Sequence, residues 1–100
     1  MAKSITLLGS TGSIGTQSLN VARGQGYGVR ALAANSSVDK LLEQIEKFHP
    51  RYVAVADHAA CQKLEGALAG RANAPKVLEG AEGIVTLAGM GEADVVLNAV

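Results

Sequence analysis

Ile5-Thr6-Leu7-Leu8-Gly9-Ser10-Thr11-Gly12-Ser13-Ile14-Gly15 is the stretch whose reading decides the fold. Four residues of apolar character run into Gly9, and from Ser13 the period changes to that of a helix. Gly15, Leu19 and Ala22 fall on one face, with Ile14 and Val21 flanking it. A short buried strand, a turn of three glycines and a helix that opens on the third glycine make the first half of a βαβ unit. Gly9 lets the chain turn off the strand, Gly12 has no side chain to keep a phosphate away, and Gly15 lets the helix pack close to the sheet. Backbone N–H groups and the positive end of the helix dipole then face one point, where an anion is stabilised. The spacing is G-x-x-G-x-x-G rather than G-x-G-x-x-G. No Gly-Lys-Ser/Thr follows, which excludes a Walker loop. The functional reading is a pyrophosphate-binding turn, and the structural alternative is a tight strand-to-helix turn without a ligand.

The rest of the chain repeats the alternation. Val29–Ala34 reads as the second strand. Val38, Leu41, Leu42, Ile45 and Phe48 mark the next helix, with Gln44 placed among its polar residues and Ser36-x-x-Asp39 resembling a capping box. Pro50 ends it. Tyr52–Ala56, Lys76–Leu78 and Asp94–Val100 read as three more strands. The helices between them carry Ala60, Leu64, Ala67 and Leu68, and then Ala81, Ile84, Val85 and Ala88. Asp57 is placed as an N-cap. Strands that are continuously apolar are covered on both faces. Right-handed crossovers then give a Rossmann-like, doubly wound open parallel sheet of α/β class, with helices on both faces and incomplete at its C-terminus.

Composition bounds the function. One hundred residues are one domain, and a chain of that length buries roughly two thirds of its unfolded surface. Seventeen Ala, 11 Leu, 10 Val and 4 Ile exclude intrinsic disorder. Nine Lys+Arg against nine Asp+Glu, with three aromatics, remove the electrostatic and stacking terms of nucleic-acid binding. No apolar run approaches a membrane span or a secretory signal, and the lone Cys61 cannot form an internal disulfide; the reading is a cytoplasmic protein. Cys61 reads as a small buried hydrophobe, and His49 and His58 as solvent-facing. There is no Ser/His/Asp set, no carboxylate pair and no metal-ligand cluster, so neither catalytic nor metal residues are assigned.

The choice of cofactor rests on the end of the second strand. NAD sites place an acidic residue about 20 residues beyond the loop. Here the position is Asn35, followed by Ser36 and Ser37, and none carries a charge. Neutral donors at a helix N-terminus suit a 2′-phosphate, so the reading leans to NADPH, with Lys40 the nearest cation. Plain N-capping is the structural alternative for the two serines. Asn98, at the carboxyl end of the fifth strand, is placed either on a ribose or nicotinamide or as a cap for the next element.

The chain from Ser4 to Leu19 resembles the N-terminal part of the 1-deoxy-D-xylulose 5-phosphate reductoisomerase family. The likeness continues through Val29-x-Ala31-Leu32-Ala33-Ala34-Asn35, Gln44-x-x-x-Phe48-x-Pro50, Gly80-x-Glu82-Gly83-Ile84 and Asp94–Val100. That resemblance implies an NADPH-dependent enzyme. It isomerises and reduces 1-deoxy-D-xylulose 5-phosphate to 2-C-methyl-D-erythritol 4-phosphate in non-mevalonate isoprenoid biosynthesis, as a homodimer with Mg²⁺ or Mn²⁺. It places cofactor contacts at Ser10, Thr11, Gly12, Ser13 and Ile14 and at Asn35, Ser36 and Ser37. Gly9, Gly15, Asn98, Ala99 and Val100 are added from the loop and the strand edge. The family often has a basic residue at the position of Ser36 and Asn at that of Ser37; serines stand at both here. Residues 1–100 would then be a truncated N-terminal cofactor domain, inactive alone, with the metal and substrate residues beyond Val100. Two rivals remain: another NADPH reductase of the semialdehyde dehydrogenase or dihydrodipicolinate reductase type, and a nucleotide-binding module without chemistry.

Overall fold

In a computed structural model, which describes residues 3–72, 74–89 and 95–98, strands and helices alternate through the chain. The order is β1 (Ser4–Leu8), α1 (Ser13–Gly24), β2 (Gly28–Ala34), α2 (Val38–Phe48), β3 (Tyr52–Val55), α3 (His58–Leu68), β4 (Lys76–Glu79), α4 (Gly80–Gly89) and β5 (Val95–Asn98). The sheet is parallel throughout, in the spatial order β4-β3-β2-β1-β5. The chain steps outward from β1 to β4 and then returns to the other side of β1. The direction of winding therefore reverses between β1 and β5, and right-handed crossovers must change faces there.

The two cores record that change. On one face Leu7, Leu32, Ala34, Val53 and Val55 pack against Leu19 and Ala22 of α1, Leu41 and Ile45 of α2, and Cys61 and Leu64 of α3. On the other, Ala31, Ala33 and Ala54 pack against Leu87 and the half-buried Ile84 of α4. A parallel sheet has no local hairpins to hold it, so this burial is its main source of stability.

Several expectations need correction. The sequence pattern has most strands, the continuously apolar ones, covered on both faces, but that holds for β1 to β3 only. Val95, Val96 and Leu97 of the edge strand β5 are all exposed. The inward face of α4 is set by Gly83 and Leu87 rather than by Ala81 and Val85, both of which are exposed. Gly83 decides this, because a Cβ there would lie 3.0 Å from atoms of Leu78, so only glycine lets α4 come that close to β4. In α3, Cys61 is buried and Ala67 is not. The capping box at Ser36 and Asp39 is absent: the N-cap of α2 is Ser37, without a side-chain cap bond. The same helix ends on His49 in the left-handed region (φ 50°), one residue before Pro50.

Candidate functional site

The parallel register brings three segments to one edge. Leu8 at the end of β1 lies opposite Ala33 of β2 and Asn98 of β5. The glycine loop, the Asn35–Ser37 run and the end of β5 therefore leave the sheet side by side, at the point where the winding reverses. Ala99, Val100 and Asp94 lie outside the described residues.

Each glycine of the loop has a separate cause. Gly9 has φ +78°, which a side chain would strain. A Cβ on Gly15 would fall 2.1 Å from the Gly9 carbonyl oxygen and 2.9 Å from the carbonyl carbons of Gly9 and Ser10. Gly15 thus packs α1 onto the backbone of its own loop, not onto the sheet. Gly12 differs from both: a Cβ there meets only the Gly9 oxygen, at 3.7 Å. Gly12 is the N-cap of α1 and offers no side-chain acceptor. The first-turn N–H groups of a helix have no intrahelical acceptors, so those of α1 are left for another group.

The loop is held from behind. The N–H groups of Gly9 and Ser10 both donate to the Ala33 carbonyl, at 2.8 and 3.0 Å, and Gly12 N–H donates to Gly9 at 3.3 Å. From α2, Gln44 Nε2 donates to the Ser10 carbonyl at 2.7 Å and Lys40 Nζ to the Thr11 carbonyl at 3.4 Å. Ser10 is wholly buried, and its hydroxyl has no partner. Thr11 is half-buried, Gly12, Ser13 and Ile14 are exposed, and Gly15 is buried.

A cleft of about 510 Å³ is lined by Ser36, Ser37, Lys40, Asp57, Ala60 and Lys63 among others, and Lys40 links it to the loop. It joins the N-terminus of α2, whose first N–H groups lack a side-chain cap, to two lysines from different helices. Asp57 is spoken for, because its Oδ2 accepts the Ala60 N–H at 2.9 Å as the cap of α3. The backbone carbonyl of Asn35 accepts the Asp57 N–H, which ties the two strand ends together.

Two residues here escaped the sequence reading. Gln44 sits among apolar positions, three residues after Leu41 and four before Phe48, and a polar residue at that period is itself the signal. Lys63 gives no such signal, since only the parallel topology brings α3 beside α2. Cys61 is buried, and burial together with the neighbouring Glu65 pushes its thiol up to about 11, so it stays protonated and unreactive near neutral pH. His58 is exposed as expected but faces Glu79 at 2.7 Å. Among the described residues no three His, Cys, Asp or Glu side chains gather to hold a metal ion, and no helix is long and apolar enough to cross a membrane. What the arrangement offers is donors: backbone N–H groups, hydroxyls, an amide and two cations, a set suited to phosphate.

The family model for 1-deoxy-D-xylulose 5-phosphate reductoisomerase matches residues 5–100. The reductoisomerase of Thermodesulfovibrio yellowstonii is 45% identical over 100 residues, covering 98% of this chain and 25% of the relative. That of Thermosynechococcus vestitus is 38% identical over 102 residues, covering 100% and 25%. Among solved structures, the Zymomonas mobilis reductoisomerase in complex with NADPH superposes with a TM-score of 0.84 at 32% identity, covering 96% of this chain and 25% of that one. A reductoisomerase in complex with NADPH, fosmidomycin and magnesium superposes with a TM-score of 0.89 at 31% identity, covering 98% and 24%. The chain thus spans about a quarter of the length of the relatives it matches.

Proposed function

Because this chain belongs to the 1-deoxy-D-xylulose 5-phosphate reductoisomerase family, we propose that residues 1–100 act as its N-terminal NADPH-binding portion. The whole enzyme isomerises and reduces 1-deoxy-D-xylulose 5-phosphate to 2-C-methyl-D-erythritol 4-phosphate on the non-mevalonate isoprenoid route. The observation that carries this reading is the glycine-capped N-terminus of α1, left without a side-chain acceptor at the reversal point of the sheet. The residues fit the cofactor: where a Cβ on Gly12 would stand, only one backbone atom lies within 4 Å.

Thr11, Ser13 and Ile14 present backbone N–H groups to the diphosphate, Gly12 leaves it room by carrying no side chain, and Gly9, Ser10 and Gly15 shape the turn. Asn35, Ser36 and Ser37 receive the adenosine ribose and its 2′-phosphate. Lys40 and Lys63, which line the same cleft, supply the charge that the 35–37 run lacks. To Asn98, Ala99 and Val100 we assign contacts on the nicotinamide side. When bound, NADPH supplies the hydride; these residues hold and orient it. Mg²⁺ or Mn²⁺ and the phosphosugar are bound by residues outside this chain, so these 100 residues bind cofactor without turning substrate over. We place the enzyme in the cytoplasm as a homodimer. The single unpaired Cys61 supports the compartment, and size-exclusion chromatography with light scattering tests the assembly.

Titration with NADPH and NADH tests the assignment through the fluorescence of the bound nicotinamide. Asn35→Asp should weaken NADPH and spare NADH, and Lys63→Ala should weaken NADPH alone, by about tenfold for one charge-assisted contact. A wild-type protein with no affinity for NADPH overturns the reading.

A further inference from the structure

Gln44 stands out because it breaks the pattern of its own helix. It is buried, 7% exposed, on the inward face of α2. Its Nε2 reaches the Ser10 carbonyl, 34 residues back along the chain, at 2.7 Å, while its Oε1 is buried without a partner. A Met or Leu would continue the apolar face and remove the unpartnered Oε1, but would leave the buried Ser10 carbonyl without its donor. A stranded buried acceptor costs stability, so the amide is placed here for the loop and at the expense of the core.

Its effect on the loop comes from the planarity of the peptide. The Ser10 carbonyl and the Thr11 N–H belong to one rigid unit and point in opposite directions. Holding the carbonyl towards α2 turns the Thr11 N–H away from α2, and that N–H finds no acceptor among the described residues. The preceding unit is fixed by a different contact, since the Ser10 N–H donates to Ala33. The Ser10–Thr11 plane is thus the one whose tilt depends on a side chain buried in α2. We propose that Gln44 is a positioning residue for diphosphate: its amide sets the Ser10–Thr11 peptide so that the Thr11 N–H is aimed before the ligand arrives. Preorganisation of this kind removes the ordering cost from binding. The proposal rests on the NADPH reading above and adds to it the element that holds the loop ready.

The experiment uses the full-length reductoisomerase carrying this chain, with direct binding of NADPH, NADH and adenosine 2′-phosphate. Gln44→Met keeps the volume and removes the donor. It should weaken NADPH and NADH by the same factor, about tenfold for one buried hydrogen bond, and leave adenosine 2′-phosphate, which has no diphosphate, unchanged. Equal weakening of all three would assign Gln44 a merely structural role in α2 and overturn the proposal, as would unaltered NADPH binding. Gln44→Glu gives an independent reading. Protonated, its carboxyl can donate to Ser10 as the amide does; ionised, it sets a charge against the carbonyl. Its affinity for NADH relative to wild type should therefore fall as pH rises through the carboxyl titration, and a flat ratio overturns the proposal. Should wild type bind neither dinucleotide, the cofactor reading itself fails, which is a different result from a variant that binds like wild type.

Discussion

Helices α1 and α3 both begin at the carboxyl edge of the sheet, and they begin in opposite ways. At α3, Asp57 closes the helix with its own carboxylate, accepting the Ala60 N–H at 2.9 Å. At α1 the capping position is Gly12, which has no side-chain acceptor, and the loop before it is tied down by Ala33, Gln44 and Lys40. The electrostatics of a helix N-terminus are the same in both. One end meets its need internally and is structural; the other is kept open and rigid and is therefore able to bind. The contrast separates a site from a feature that every helix has: an open cap, together with a scaffold that commits side chains to hold it.

The contrast can be attacked in three ways. Gly15→Ala is the most severe, because its Cβ would collide with backbone on both Gly9 and Ser10. It should cost about 3 kcal/mol of stability and abolish cofactor binding, and denaturant unfolding with an NADPH titration measures both. Gly12→Asp turns α1 into a copy of α3. At φ −74° the backbone accepts a side chain, and the new cap should add up to about 1 kcal/mol of stability. The same carboxylate occupies the place of the diphosphate, so NADPH affinity should drop about 100-fold. Stability and binding moving in the same direction would refute the distinction. Asp57→Ala is the mildest. Removing the cap should cost about 1 kcal/mol and leave NADPH bound at least as tightly, since an anion is lost from the cleft beside Ser36 and Ser37. Weaker binding by this variant would show that α3 is part of the site after all.

Much of this was legible in the sequence because it is local. The steric demands of Gly9 and Gly15 act within one turn of chain, and the shift from continuous apolar character to helical period fixes the strands to within a residue or two: β2 begins at Gly28 instead of Val29, and β3 stops at Val55 instead of Ala56. The missed parts depend on residues distant in sequence. Gln44 was read with the polar face of α2 because its partner lies 34 residues away. Lys63 joins the cleft only through the β2-β3-β4 order. The inward face of α4 turned on Gly83, which carries no hydrophobicity to count and acts through its close approach to Leu78. The capping box failed for a simpler reason: α2 begins at Val38, so the cap is Ser37 and not Ser36.

The doubly used carbonyl of Ala33 has a kinetic consequence. Because it accepts from both Gly9 and Ser10, those two amides are locked into the β1–β2 ladder, although they belong to a loop. Their exchange with solvent deuterium requires the two strands to part, which in a parallel sheet is close to unfolding the domain. Thr11, a residue further on, has no such tether on its N–H. Along two consecutive peptide units the protection should pass from that of the core to that of the surface, and the border between scaffold and binding surface runs between Ser10 and Thr11.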